Sequence, residues 1–129
     1  MKQIACPVAL HPDGATRRIA VYQDPTGGLK LAHTITPSPQ DAAGKAARLL
    51  FAMSALETRA ALPIGTLATS SQMWHFALCR IVPPVREQWK HLHADAGTLL
   101  HWTWMPLGAP LAGLGPADTS ALAWIRSTL

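Results

Sequence analysis

The chain has 129 residues and a mass of 13.8 kDa, which suits a single domain over residues 1–129 and is too short for two ordinary domains. Hydrophobic residues make up 49% and charged residues 14%, below the usual charged share of about 25%, so a disordered chain and a solvated coiled coil are excluded. The net charge of +4 comes from scattered basic residues, which argues against nucleic acid as a partner and fits a small anionic ligand or no charged partner.

The cysteines and the N-terminus predict a cytoplasmic protein. Cys6 and Cys79 are too few for a disulfide framework and are expected to be buried thiols. Pro7, Pro12 and Asp13 interrupt the N-terminal apolar stretch, so it is too short for a signal peptide. No stretch of the chain approaches the length of a membrane span, about 18 apolar residues.

The small share of charged residues predicts a homodimer with an apolar contact patch.

The first third of the chain predicts strands. Residues 4–10 alternate and end at a turn, and Pro7 places this strand near a sheet edge. Residues 18–22 and 29–32 are two further strand-like runs. They flank a turn at residues 24–28 that contains proline and two glycines, which predicts a hairpin.

A helix is predicted from Pro39 to about Leu56. Ser38 would be its N-cap, with Pro39 at the first helical position and Asp41 as the acidic partner of a capping box. Apolar residues then recur at helical spacing, at Ala42, Ala46, Leu49, Leu50, Met53 and Leu56. This stripe is expected to pack on a sheet.

The second half predicts further strands and a closing helix. Residues 74–82 are apolar on both faces, which is typical of a central strand covered on both sides. The polar stretch 85–97 is interpreted as a loop, residues 99–107 as a strand, and residues 116–128 as a helix. The order of elements predicts the α/β (α+β) class, as a three-layer α/β/α sandwich with a mixed sheet between helices.

Several segments are similar, in order and spacing, to those of one protein family. They are the turn at 24–28 with its continuation at 31–38, the aromatic strand 74–80, the segments 89–91 and 104–107, and the last helix at 121–126. From Arg18 onward, the chain resembles Nudix hydrolases. The resemblance implies the Nudix fold and an enzyme that uses Mg²⁺ or Mn²⁺ to hydrolyse a nucleoside diphosphate linked to another moiety.

The residues at the signature helix of that family differ in a way that matters for chemistry. Family members hold the cations with carboxylates on this helix, because hard divalent cations require charged oxygen ligands. In an ungapped alignment, the four carboxylate positions fall on Pro39, Arg48, Phe51 and Ala52, so every carboxylate of the signature is missing. We therefore predict a degenerate site with no catalytic residue, no metal ligand and no cofactor.

Five residues are candidates for binding a phosphorylated or nucleotide-like small molecule: Arg18, His33, Arg48, Trp74 and His75. Arg48 could contact a phosphate where the family has a carboxylate, or be solvated on the helix flank. Arg18 could steer phosphates, or start a solvated strand. Trp74 could stack on a base, or belong to the core. His75 could line a pocket or be a hydrogen-bonded core histidine, and His33 replaces the first glycine of the signature.

The remaining histidines offer a weaker alternative. His91 and His93 would share one face of a strand, and His101 could add a third nitrogen to a zinc site. However, the segment is interpreted as a loop and no cysteine or carboxylate is placed with it, so no metal site is predicted.

Two functions are open at this point. The first is a binding or interaction module that lacks pyrophosphohydrolase activity. The alternative is a divergent Nudix hydrolase that recruits other ligands, such as Glu87, Asp95 or the histidines. The first is favoured, because a site for a hard cation needs several converging carboxylates and the chain has seven acidic residues in all.

Overall fold

An eight-stranded sheet and two α-helices form the fold in the computed structural model, which describes residues 1–15, 17–23, 25, 28–110 and 113–129. The strands are β1 (Lys2–Leu10), β2 (Arg18–Gln23), β3 (Leu29–Lys30), β4 (Thr34–Ile35), β5 (Thr58–Ala68), β6 (Gln72–Ile81), β7 (Gln88–His93) and β8 (Thr98–Pro106). The helices are α1 (Ala42–Ser54) and α2 (Pro116–Thr128). Within these described residues, neither helix is long and apolar enough to cross a membrane.

The sheet is mixed. Its strand order is β5-β6-β1-β2-β8-β7, with β3 attached to β2 and β4 attached to β1. β1 and β6 run parallel, from Lys2 opposite Gln72 to Leu10 opposite Arg80. The other strand pairs named here are antiparallel. The carboxyl ends of β1 and β6 therefore meet at one edge of the sheet.

The two helices cover opposite faces of the sheet. Along β1, Cys6 and Val8 belong to the apolar cluster that contains Leu122 and Ile125 of α2. Ala9, which points to the other face, belongs to the cluster that contains residues of α1. Side chains alternate between the two faces of a strand, so both faces are buried and the predicted α/β/α sandwich is confirmed.

The prediction that Pro7 places β1 near an edge was wrong. β1 lies between β6 and β2 in the interior of the sheet. It pairs with β4 at Ile4 and Ala5 and with β2 at Leu10. Pro7 lies in the gap between these two ladders, where the absence of a backbone N–H is tolerated.

The start of the predicted helix 39–56 also differs from expectation. Residues 39–41 form a 3₁₀ turn, and the α-helix begins at Ala42. The Ser38 hydroxyl donates a hydrogen bond to Asp41 Oδ2 at 2.8 Å instead of capping a backbone N–H. The predicted capping box is therefore not formed, although both of its side chains contact each other.

Helix α1 ends two residues before the predicted Leu56. Ala55 has a left-handed conformation, with φ of 63°, and its N–H donates to the carbonyl of Phe51 at 2.8 Å. This geometry turns the chain out of the helix. Leu56 remains buried against the same apolar cluster as Leu50 and Met53.

The segment 85–97 was predicted to be a loop, but it contains a strand. β7 occupies residues 88–93 and pairs along its whole length with β8. Half-buried and exposed residues alternate along β7. This alternation is not visible in the sequence, because β7 lies at the edge of the sheet and carries polar side chains. The predicted strands 18–22, 74–82 and 99–107 and the helix 116–128 are confirmed, with ends shifted by a residue or two at most.

The predicted hairpin is confirmed in its pairing. Tyr22 lies opposite Lys30, and Gln23 lies opposite Leu29, so β2 and β3 are antiparallel neighbours. The second strand ends at Lys30, two residues earlier than expected. Residues 24, 26 and 27 of the predicted turn lie outside the described residues.

Candidate functional site

The outer face of α1 carries three of the four residues that align with carboxylates of the Nudix signature in the ungapped alignment. Arg48, Phe51 and Ala52 are all exposed, and the Phe51 side chain is 53% exposed. Residues three and four apart share one face of a helix, so these three form a continuous outward surface. The surface presents a guanidinium, a phenyl ring and a methyl group, and no oxygen ligand.

This surface does not fit Mg²⁺ or Mn²⁺. Both cations prefer several carboxylate or water oxygens, and no group of three His, Cys, Asp or Glu side chains that could hold a metal occurs in the described ranges. The nearest acids along the chain are Asp41, which accepts the Ser38 hydroxyl, and Glu57, which follows the end of the helix. No hydrolytic step through a bound cation can be derived for α1.

His33 and Trp74 are the pair of predicted ligand residues that the described structure brings into ring contact. Their ring centroids lie 4.7 Å apart. Trp74 is 1% exposed and its indole N–H donates to Gln72 Oε1 at 3.1 Å. His33 is exposed, and its Nδ1 lies 3.0 Å from the Leu31 carbonyl, to which it donates. Trp74 is therefore part of the core, which was the second of the two roles considered for it.

The other three predicted residues lie apart from that pair. His75 follows Trp74 on β6 and points to the opposite face of the sheet, where its Nε2 lies 2.5 Å from Gln3 Oε1. Arg18 begins β2 and donates to Glu87 Oε2 at 2.7 Å. Arg48 lies on α1, with a guanidinium nitrogen above Gly44. A shared role of all five in one ligand site stays a prediction.

The three histidines considered for zinc cannot converge. In the β7–β8 ladder, His91 lies opposite Leu100 and His93 opposite Thr98, whereas His101 lies opposite Lys90. Directly opposed residues point to the same face of a sheet. His101 therefore points to one face, and His91 and His93 point to the other.

The acids considered for a rearranged centre are also far apart. Glu87 precedes β7, and Asp95 lies in the turn that follows it. A six-residue strand spans about 20 Å. Glu87 is already engaged by Arg18 at 2.7 Å and by His11 at 3.7 Å.

Three tryptophans hold the end of α1 and the segment that follows β6. The indole N–H of Trp102 donates to the carbonyl of Met53, and that of Trp89 donates to the carbonyl of Ser54, both at 2.8 Å. The last carbonyls of a helix have no partner within the helix, so these bonds fix where α1 ends. Trp104 donates to the Arg86 carbonyl, also at 2.8 Å.

A groove of about 450 Å³ lies beside this end of α1. We call it the helix-end groove. Its lining residues include Arg86, Lys90 and His91, together with Glu57 and Trp89. Grooves of this size hold small molecules, and its mixture of basic and apolar groups suits an anion attached to a flat ring.

Neither Arg86 nor Lys90 was predicted as a site residue. The available signal was weak, because single basic residues in a polar stretch are usually solvated. The two residues reach one groove because the segment after Pro83 and Pro84 folds back against the end of α1.

The two cysteines are buried free thiols, as predicted. Burial raises the pKa of Cys79 to about 11, and burial raises the pKa of Cys6 even further. Both thiols are therefore protonated at neutral pH. A protonated thiol is a poor nucleophile, so these environments do not favour nucleophilic chemistry at either cysteine.

Three solved structures similar to this chain are Nudix hydrolases. The chain is similar to a MutT Nudix hydrolase from Burkholderia pseudomallei (TM-score 0.63, 13% identity, 95% of each chain). It is also similar to an ADP compounds hydrolase (TM-score 0.71, 13% identity, 98% of this chain and 71% of that one). A third similar structure is a mutT/nudix family protein from Listeria innocua (TM-score 0.61, 14% identity, 98% of this chain and 92% of that one).

The structural comparisons show that the chain has the Nudix fold. No protein-family model matches the sequence, and no curated protein matches it either. At this level of identity the likeness concerns the fold alone, because one fold can carry unrelated activities. The activity of this chain therefore depends on the residues of its site.

Proposed function

We propose that this chain is a Nudix-fold binding module that lacks metal-dependent pyrophosphohydrolase activity and takes a phosphorylated or nucleotide-like small molecule. The observation that supports it most is the outer face of α1, where Arg48, Phe51 and Ala52 are exposed and offer no carboxylate. A divalent cation that bridges a pyrophosphate needs such ligands. The proposed location of the protein is the cytoplasm.

The helix-end groove is the proposed place for the ligand. It is next to α1, and its lining residues include Trp89 and Arg86. An anionic group would pair with the guanidinium of Arg86, and a flat apolar group would lie against the Trp89 ring. Glu57 opposes a dianion at this position, so we expect the groove to prefer ligands whose charge lies towards Arg86.

We expect the purified protein to leave nucleoside triphosphates, dinucleoside polyphosphates and sugar nucleotides intact in millimolar Mg²⁺ or Mn²⁺. The reason is the missing set of oxygen ligands on α1. Product release is measured by chromatography, and cation binding is measured separately as a shift in Tm. A saturable rise in Tm with Mg²⁺ or Mn²⁺ would contradict the proposal, since ligands that bind the folded state stabilise it.

Arg48→Ala serves as the control in the hydrolysis assay. A contaminating hydrolase would give an activity that this substitution leaves unchanged. The alternative function, a divergent Nudix hydrolase acting on a nucleoside diphosphate linked to another moiety, requires metal-dependent turnover that is lost in Glu87→Gln or Asp95→Asn. The separation of these two acids by the length of β7 gives no support to that alternative.

We also propose that the protein forms a homo-oligomer. The basis is composition: 49% of the residues are hydrophobic and 14% are charged, which leaves little polar side chain to cover the surface. Light scattering at high micromolar concentration is expected to give the mass of a dimer. A monomeric mass under these conditions would refute this expectation.

A further inference from the structure

A second cavity lies at the carboxyl ends of β1 and β6, away from the outer face of α1. It has a volume of about 420 Å³ and we call it the basic cavity. His11, Arg59 and Arg80 line it with no acidic residue among the lining residues. Ligands of open α/β sheets commonly bind where the carboxyl ends of neighbouring parallel strands meet, and β1 and β6 are such a pair.

The sheet geometry brings the two arginines together. Thr58 lies opposite Ile81 and Ala60 lies opposite Arg80, so Arg59 is the additional residue of a β-bulge in β5. A bulge redirects a side chain at the edge of a sheet. Here, Arg59 and Arg80 border the same cavity.

The positive charge of Arg59 and Arg80 has no ion-pair partner in the part of the chain that the structure describes. Among the described residues, the ion pairs are those that Glu87 makes with Arg18 and with His11. Neither Arg59 nor Arg80 takes part in them. Arg59 and Arg80 both border this cavity, and their positive charges favour an anion there.

His11 forms a fixed, nearly buried wall of the cavity. Its side chain is 10% exposed, and its ring packs edge-on against Trp104 with centroids 4.8 Å apart. The backbone N–H of Asp13 donates to His11 Nδ1 at 2.9 Å, so the ring proton of the neutral form lies on Nε2. Apolar side chains of Leu10 and Leu78 complete the wall, and their low polarity strengthens the attraction between an anion and the arginines.

We propose that the basic cavity binds a terminal phosphate or diphosphate group, held between Arg59 and Arg80. Guanidinium groups recognise phosphate through paired N–H···O hydrogen bonds. This inference deepens the proposed function and rests on it, because it assumes that the phosphorylated ligand is bound and not hydrolysed. It adds a phosphate site outside the helix-end groove, with Pro83 bordering both.

The test measures binding of inorganic pyrophosphate by calorimetry, at constant ionic strength and in the presence of a chelator. Saturable binding is expected, and Arg59→Gln and Arg80→Gln are each expected to weaken it by about tenfold or more. Lys2→Gln is the matched control. It also removes one positive charge, but from the opposite end of β1, roughly 26 Å away at about 3.3 Å per residue.

Binding that is equal in the wild type and both arginine variants would overturn the inference, as would the absence of saturable binding. An oligonucleotide without terminal phosphates is the second ligand, and tighter binding of it through Arg59 and Arg80 would also overturn the inference. Both arginines are exposed, so the variants are expected to fold, which the Tm verifies. The chelator removes divalent cations from this binding test, whereas the hydrolysis test contains them. A failure to bind pyrophosphate would therefore not decide the outcome of the hydrolysis test.

Discussion

Gly65→Ala is expected to lower the free energy of unfolding by about 3–5 kcal/mol, the sum of a backbone and a packing contribution. Gly65 has a φ of 145°, a conformation that residues with a Cβ atom rarely adopt. A Cβ atom at this position would lie 2.7 Å and 2.9 Å from two carbons of the Trp124 ring. That ring is itself stacked on Phe76, with centroids 4.3 Å apart, so it cannot easily move away.

Urea unfolding of four variants separates the two contributions. Gly108→Ala is the matched control, because a Cβ atom there would meet nothing within 4 Å, and it is expected to change stability by about 0.5 kcal/mol or less. Trp124→Leu, alone and combined with Gly65→Ala, completes a double-mutant cycle: in the Trp124→Leu background, Gly65→Ala should cost only the backbone strain. A stability of Gly65→Ala equal to that of Gly108→Ala would show that β5 and α2 do not pack as described.

Trp102→Phe is expected to cost about 3 kcal/mol, from an unpaired buried carbonyl and a loss of buried volume. Trp102 is 2% exposed and donates to the Met53 carbonyl at the end of α1. Phenylalanine cannot donate this bond, and water has little access to the site. The end of α1 should fray, which amide exchange at Ala55 would detect, because that N–H is bonded to Phe51.

Trp89→Phe is the matched comparison for this prediction. Trp89 makes the equivalent bond to the Ser54 carbonyl, but it is partly exposed and borders the helix-end groove. Water can replace the indole there, so a cost of about 1 kcal/mol is expected. Equal costs for the two variants would mean that burial does not distinguish the two carbonyls.

The helix-end groove and the basic cavity divide the proposed function between two places. The residues of α1 include no carboxylate that could hold a cation. Arginine residues line both cavities, with Arg86 in the helix-end groove and Arg59 and Arg80 in the basic cavity. We propose that these arginines bind a phosphate without a metal ion, because guanidinium groups recognise phosphate directly.

The sequence was sufficient for most elements because burial leaves a periodic pattern. The run from Trp74 to Ile81 is apolar on both faces, and the structure buries both faces of β6. The stripe from Ala42 to Met53 indicated a helix, and α1 buries that stripe. The sequence alone showed that Arg48, Phe51 and Ala52 carry no carboxylate. The type of a side chain limits which ligands it can bind, wherever the residue lies in the fold.

Only the tertiary structure decided the order of the strands and which distant residues come together at one site. Pro7 suggested an edge, but β1 lies in the interior of the sheet. Pro7 is tolerated there because the two antiparallel neighbours of β1 leave a gap at that residue. β7 carries no apolar alternation, and it is a strand because β8 supplies its hydrogen-bond partners.

The basic cavity also arises from long-range strand pairing. His11, Arg59 and Arg80 are far apart in the sequence, and the parallel pairing of β1 with β6 and the bulge in β5 bring them together. Local periodicity reports which face of an element is buried, whereas the partners across a sheet depend on long-range pairing that no short segment specifies.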